Sequence, residues 1–353
     1  MSIAAVDVGG DGRGTTAVRV RVIAPSSMGK PSNLEAFSRF LWDAGMSAHV
    51  DHSMYRPGAD PFYANTDQHR ADDLVDALTD DVSTVVWCAR GGEGASRLIP
   101  YLEALPADRK QKIRDARKTL VGYSDATALH VYLQRVYGWR TVHGTMLEMI
   151  ADRVVAQQSV DALVALVTGR SDGVRYELRP VVAVDRRPDE LSLRGRVAGG
   201  NMTLVENTLG TAFDFRGDGK IVFLEDVHVQ PYSLERSLDH MKLAGVFRGA
   251  VAVVFGSFSD TSDERLIALV FRRFAATVPF PVFCVDGIGH GYVNDPLPLN
   301  TDATVVGQMR LGSPTYTLTV DSIYDADTRN RMAASLDQPV AGAGAIADVT
   351  REV

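Results

Sequence analysis

The sequence predicts an α/β fold, with an N-terminal, doubly wound, mostly parallel sheet domain and a smaller, β-rich C-terminal α+β domain. Three observations carry this expectation. In the first half, short apolar runs alternate with helix-period segments of about ten residues or more, the pattern of right-handed βαβ crossovers. After about residue 170 the elements become shorter and mixed. The chain has 353 residues, a length that favours two cores over one.

Val18–Ala24 (VRVRVIA) alternates with period two and stops at Pro25-Ser26-Ser27, so it reads as the first strand. Asn33–Ala44 places Leu34, Phe37, Phe40 and Leu41 at helical spacing and ends at Gly45. A strand is expected at Ser47–Asp51 and a helix at Gln68–Leu78. Thr84–Cys88 is a β-branched run halted by Arg90-Gly91-Gly92. Helix patterns follow at Ala95–Leu102 and Arg109–Lys118, then strand Thr119–Tyr123, helix Asp125–Tyr137 and strand Thr141–His143. These fill an N-terminal domain spanning residues 15–170. Val174–Arg196 is strand-like, charged and carries two prolines, which predicts a linker over 171–195. The C-terminal domain, 196–321, is expected to hold strands at Lys220–Leu224, Ala250–Phe255 and Pro281–Val285. Helices at Ser233–Leu243 and Ser262–Phe274 intervene, and the late runs Ala303–Val306 and Thr315–Val320 form a hairpin. Residues 322–353 form a small-residue tail with no assigned role.

Hydrophobic residues make up 45% and charged residues 23%, the balance of a soluble globular protein. The charge sum, 37 − 44 = −7, lacks the basic footprint of a nucleic-acid binder. Mean hydropathy is −0.04, and no apolar run approaches the ~20 residues that span a bilayer. The N-terminus has neither a basic start nor an apolar stretch of signal-peptide length. Cys88 and Cys284 both lie in strand-like runs, as reduced buried thiols do. A cytoplasmic location is therefore expected, with no membrane and no nucleic acid as partner.

Several chemistry-bearing motifs are weak alone. Gly9–Gly14 (GGDGRG) precedes a strand, whereas a phosphate-binding loop follows a strand and opens a helix; a terminal extension is the better reading. His49-Val50-Asp51-His52 reads as a strand running into a surface loop, since a zinc site needs three or four converging ligands. Val85, Val86 and Trp87 would desolvate Cys88 and disfavour its thiolate, so a core cysteine is expected.

Four strand-end motifs are more informative together. Ser124, in Val121-Gly122-Tyr123-Ser124-Asp125, stands where a strand turns directly into a helix, at the sheet edge where open α/β folds bind ligands. The following amides and the helix dipole favour a developing oxyanion. A plain N-cap serine fits the same pattern. Gly91-Gly92-Glu93-Gly94 lies on the same edge and would let a second amide approach the substrate, or be a tight turn. Glu225-Asp226 ends the apolar run Val222-Phe223-Leu224, as a functional carboxylate or as solvated charges. His290 sits among three glycines in Gly287-Ile288-Gly289-His290-Gly291. There it can take a serine proton if a carboxylate fixes its tautomer, or it is an exposed loop histidine.

In order, the segments GGEGASRLIPYL (91–102), VGYSDATALH (121–130), GGNMTLVENTLGT (199–211), VFLEDV (222–227), VFGSFSD (254–260) and GIGHG (287–291) resemble the LD-carboxypeptidase family. These are cytoplasmic serine peptidases that trim murein tetrapeptides during peptidoglycan recycling; microcin C immunity peptidases are relatives. The resemblance runs from about Val18 to Leu318. It implies a triad of Ser124 as nucleophile, His290 as general base and Glu225 as its orienting carboxylate. The spacings are 225 − 124 = 101 and 290 − 225 = 65 residues, so both domains contribute. It further implies oxyanion donors at the amides of Gly92 and Asp125, no cofactor, no metal and a homodimer. The substrate would be a small peptide ending in a D-amino acid. Its terminal carboxylate needs basic or amide donors, for which Gly91, Arg90 and Arg97 are candidates. Glu93 departs from the aromatic residue that usually follows the double glycine in the family. An aminoacyl-nucleotide substrate would require a stacking ring in the segment 153–179, which offers only Tyr176. A non-catalytic peptide-binding module is the alternative of a different class, and the intact Ser, Glu and His argue against it.

Overall fold

The computed structural model describes residues 6–7, 18–184, 187–259 and 263–336. The motif Gly9–Gly14 and the last part of the tail lie outside these residues. In chain order the first sheet is built from β1 (Val6–Asp7), β2 (Arg19–Ile23), β3 (Ser47–Val50), β4 (Val85–Cys88), β5 (Thr119–Gly122) and β6 (Thr141–His143). Their spatial order is β1-β3-β2-β4-β5-β6, and all pairs except β1–β3 are parallel. The strand order reverses beside β2, so the ends of β2, β4 and β5 open onto the crevice where such sheets bind ligands.

Helices cover both faces, which is why β4 and β5 read as uninterrupted apolar runs. Every residue of β4 and β5 is buried. Trp87 faces a layer formed with Phe37, Leu41, Val142 and Leu163. Its neighbours Val86 and Cys88 face the opposite layer, with Leu74, Leu98, Leu129 and Leu133. This period-two alternation directs the strand-end residues that follow toward one edge or the other.

The second half is a closed seven-stranded barrel of β7 (Gly173–Pro180), β8 (Ser192–Asn201), β9 (Lys220–Val227), β10 (Ala252–Ser259), β11 (Val282–Cys284), β13 (Thr301–Arg310) and β14 (Ser313–Asp321). Helices Pro231–Leu243 and Glu264–Ala275 pack on its outside through Leu234, Leu238, Phe271 and Phe274. Between β11 and β13, β12 (Leu297–Leu299) leaves the barrel and pairs antiparallel with β6, extending the first sheet. No helix among the described residues is long and apolar enough to cross a membrane.

Two expectations change. The stretch 171–195 is not simply a linker, because Gly173–Pro180 is a full barrel strand paired with β14 and β11. Its charges belong to the exposed face of a one-sided strand, and Pro180 stands at its end, where the missing N–H costs little. The tail begins with ordered structure: Ile323 and Met332 join the core of the N-terminal half, and Ala326–Leu336 is a helix.

Candidate active site

β5 ends at Gly122, and the chain turns through Tyr123 and Ser124 into a 3₁₀ turn, Ser124–Ala126, that continues as the helix Thr127–Tyr137. The turn is sharp enough to put Ser124 at φ +59°, a left-handed conformation unusual for a residue with a side chain. Strain of this kind persists where the surroundings over-determine it, as in strand-to-helix turns that expose a nucleophile.

The double-glycine loop passes directly over this turn. A Cβ on Gly91 would stand 3.1 Å from the Ser124 Cβ and 3.4 Å from its Oγ. Gly92 has φ +109°, and a Cβ there would lie 2.3 Å from Ser27 Oγ. Only glycine lets this loop lie between the Ser124 turn and the β2 loop. The Ser27 amide donates to Gly91 O (3.2 Å), and Ser27 Oγ accepts from the Glu93 amide (3.1 Å). Asp125, one residue after Ser124, is buried. Its Oδ2 accepts from Ser26 Oγ (2.6 Å) and from the Ala95 amide (2.8 Å). Burial pushes this carboxyl above its ordinary range, while Ser26, the Ala95 amide and Arg70 pull it back.

Glu225 lies near the end of β9 with no solvent exposure. His290 follows β11, and its Nδ1 is 2.7 Å from Glu225 Oε2. An ionised carboxylate only accepts, so Nδ1 carries the proton and Nε2 is left as the basic atom. Burial raises the Glu225 carboxyl above its usual range, an effect that the His290 ring and the Asn201 amide partly offset. Gly289 makes the pairing possible: at φ +135° it brings the backbone so close that a Cβ would meet Ser257 Oγ at 2.2 Å and Glu225 Oε2 at 3.0 Å. The His290 ring packs on Tyr123, with centroids 4.9 Å apart, which brings the histidine of one half against the residue beside Ser124 of the other.

Polar bonds stitch the halves together around this contact. The Asn201 amide donates to Thr127 Oγ1 (3.1 Å), while Asn201 Nδ2 donates to Asp226 Oδ1 (2.9 Å). Asp226 also accepts from the Thr203 amide and hydroxyl, so it braces the β8–helix turn and is not a solvated charge. The Gly289 amide donates to Asn294 Oδ1 (3.1 Å). Asn294 faces His143, which is wholly buried between Tyr123 and Phe223, each ring 5.4 Å away. Burial, reinforced by His130 and His290, lowers His143 to about 3, with Asn294 acting in the other direction, so its ring is neutral.

The candidates outside this cluster are otherwise engaged. The Arg97 guanidinium is paired with Asp67, at 2.5 Å from its Oδ2, and lies over the Tyr63 ring, so the geometry is that of an ion pair. Arg90 donates to Met28 O (2.6 Å). Cys88 is completely buried, and desolvation pushes its thiol far up. Among the described residues, no group of three or more His, Cys, Asp or Glu is placed to hold a metal ion.

The chain matches the LD-carboxypeptidase N-terminal domain over residues 20–144 and the C-terminal domain over residues 194–305. The LD-carboxypeptidase family is where this chain belongs. A Rickettsia conorii protein classed as a carboxypeptidase is 33% identical over 290 residues, covering 82% of this chain and 88% of that protein. The murein tetrapeptide carboxypeptidase of Pseudomonas aeruginosa is 29% identical over 300 residues, covering 82% of this chain and 93% of that protein. In fold, the muramoyltetrapeptide carboxypeptidase of Oxalobacter formigenes superposes with a TM-score of 0.70 at 22% identity, over 86% of this chain and 99% of that one. The protein is thus a serine-type carboxypeptidase of two-domain α/β architecture.

Sequence reasoning named Asp226 without its bracing role and overlooked the Asp125 carboxylate, Asn201, Asn294 and the buried Arg70, which donates to Gly94 O (3.1 Å) and to Pro25 O. A usable signal existed at Asn201, a helix-capping residue type placed directly after two glycines. For Arg70, a charged residue on the helix Asp67–Thr79, there was none.

Proposed function

We propose that this enzyme removes the C-terminal D-amino acid from small L,D-linked peptides, murein tetrapeptides above all, through Ser124, His290 and Glu225. The observation that carries the reading is the pairing of His290 with the buried Glu225 at 2.7 Å, packed against the turn that holds Ser124 at φ +59°. In this reading His290 Nε2 takes the Ser124 hydroxyl proton as Oγ attacks the scissile carbonyl. The amides of Gly92 and Asp125 stabilise the oxyanion. Collapse of the tetrahedral intermediate breaks the C–N bond, and the imidazolium returns its proton to the leaving D-amino acid. Water, deprotonated by the same histidine, then hydrolyses the acyl-enzyme and regenerates Ser124. Glu225 holds the tautomer and stabilises the imidazolium without itself taking the proton.

The nucleophile belongs to the 15–170 half and its two partners to the 196–321 half, so neither half is expected to work alone. Gly91, beside Ser124, is the backbone element proposed to receive the peptide. Arg97, held by Asp67, is a weaker candidate for the substrate carboxylate than exposed amides of the same loop. Tyr176, the one ring in 153–179 that could stack a nucleobase, is half-buried and donates its hydroxyl to Pro296 O (2.5 Å). That favours the peptide over an aminoacyl nucleotide. Following the family resemblance, a cytoplasmic homodimer is the proposed working form.

The test is to incubate wild-type protein and Ser124→Ala with murein tetrapeptide and, in parallel, an aminoacyl nucleotide, reading products by mass spectrometry. The expected result is D-alanine release from the tetrapeptide by the wild type only. Undiminished turnover by Ser124→Ala overturns the nucleophile, and preferential cleavage of the nucleotide overturns the substrate.

A further inference from the structure

We infer that the Asp125 side chain is a positioning residue that fixes the separation of the two oxyanion donors; this rests on the Ser124 reading above. The carboxylate does not cap its own helix. Its Oδ2 accepts from groups 99 and 30 residues away, Ser26 Oγ after β2 and the Ala95 amide at the end of the double-glycine loop. One residue therefore supplies a donor, through its backbone amide, and holds through its side chain the loop that carries the other donor, Gly92. The grip is doubled next door, where Ser27 binds the same loop through Gly91 O and the Glu93 amide. Three strand-end loops converge on a single oxygen.

A role in charge stabilisation is excluded by sign. A carboxylate one residue from the nucleophile opposes the negative charge that forms on the substrate oxygen. An anion is tolerable there because it is buried, accepts from Ser26 and the Ala95 amide, and has the buried guanidinium of Arg70 nearby. What the carboxylate contributes is geometry. Donors must sit within a few tenths of an ångström of where the oxyanion will be, and a loop of three glycines in four residues has no rigidity of its own.

The inference predicts a kinetic signature that a merely structural residue would not give. Asp125→Asn should lower kcat about 10- to 100-fold with KM changed less than about threefold, because only transition-state contacts are disturbed. Affinity for a peptidyl aldehyde, which forms a tetrahedral adduct on serine, should fall by the same factor as kcat/KM. Ser26→Ala, which removes one of the two bonds, should show the same split to a smaller extent, and it decides the matter if Asp125→Asn fails to fold by near-UV circular dichroism. Unchanged kcat in a folded variant, or a kcat loss with unaltered aldehyde affinity, overturns the inference. Labelling of wild-type Ser124 by a fluorophosphonate separates the two failures: absence of labelling removes the nucleophile assignment itself, whereas labelling with normal Asp125→Asn kinetics removes only the positioning role.

Discussion

Glu225→Gln is the substitution whose effect the geometry bounds best. In the proposed mechanism, removing the carboxylate charge takes away the partner that stabilises the imidazolium formed on each turnover. At the 2.7 Å separation of His290 Nδ1 and Glu225 Oε2, and with an effective dielectric constant of about 20, that attraction is about 6 kcal/mol. Each 1.36 kcal/mol is tenfold in rate, so kcat should fall by about 10⁴-fold. Stability should move the other way. The Glu225 carboxyl is raised above its unfolded value of 4.5 by burial, so the native state holds this proton more tightly than the unfolded chain does. The native state therefore loses stability as pH rises above 4.5 toward the raised folded value, so a cost is present at neutral pH. Glutamine removes it. The assay is D-alanine release from an L,D-tetrapeptide at pH 7, run beside a urea titration of the same preparation. A rate loss under tenfold, or a rate loss accompanied by a lower urea midpoint, would refute the reasoning.

Three further outcomes are expected. Ser124→Gly abolishes turnover but raises the unfolding free energy by about 1 kcal/mol, because glycine relieves a left-handed residue; a lower urea midpoint would contradict the strain. Gly92→Ala lowers kcat/KM by about 100-fold or more, since its Cβ would displace Ser27 and carry one oxyanion donor out of place; steady-state kinetics at the wild-type rate would show that the loop yields. His143→Phe flattens the acid limb of stability. With a folded value of about 3 against 6.5 unfolded, His143 costs the native state increasingly as pH falls below 6.5. Urea midpoints at pH 7 and pH 4.5 should converge in the variant, and an unaltered acid loss would refute this.

The sequence was most legible where one interaction dominates. β4 and β5 are covered on both faces and so appear as continuous apolar runs, and Ser124 closely follows β5 while Gly92 and His290 stand on the glycine-marked loops after β4 and β11. β7 was misread because a barrel strand with one solvated face carries as many charges as a linker; what makes it a strand is its pairing with β14, more than 130 residues later in the chain. The Glu225–His290 pairing was implied by resemblance, since no local pattern states which carboxylate meets which ring. The Asp125 carboxylate was hidden for the opposite reason. Aspartate early in a helix already has an ordinary explanation in the helix dipole, and nothing nearby signals that its oxygen is occupied by Ser26 and Ala95.

β12 bears on how the enzyme is made as well as on how it is held. During synthesis the last N-terminal strand of the sheet that ends at Ser124, β6, ends at His143, while the segment that covers its open edge begins at Leu297. The interval is 297 − 143 = 154 residues, which at ribosomal speeds of about 5–20 residues per second is roughly 8–30 s. For that time the nascent N-terminal half presents an unpaired, apolar sheet edge of the kind that recruits other chains. Maturation of the serine's domain therefore waits on nearly the whole of the histidine's domain, and a chain truncated between them would emerge as an aggregation hazard.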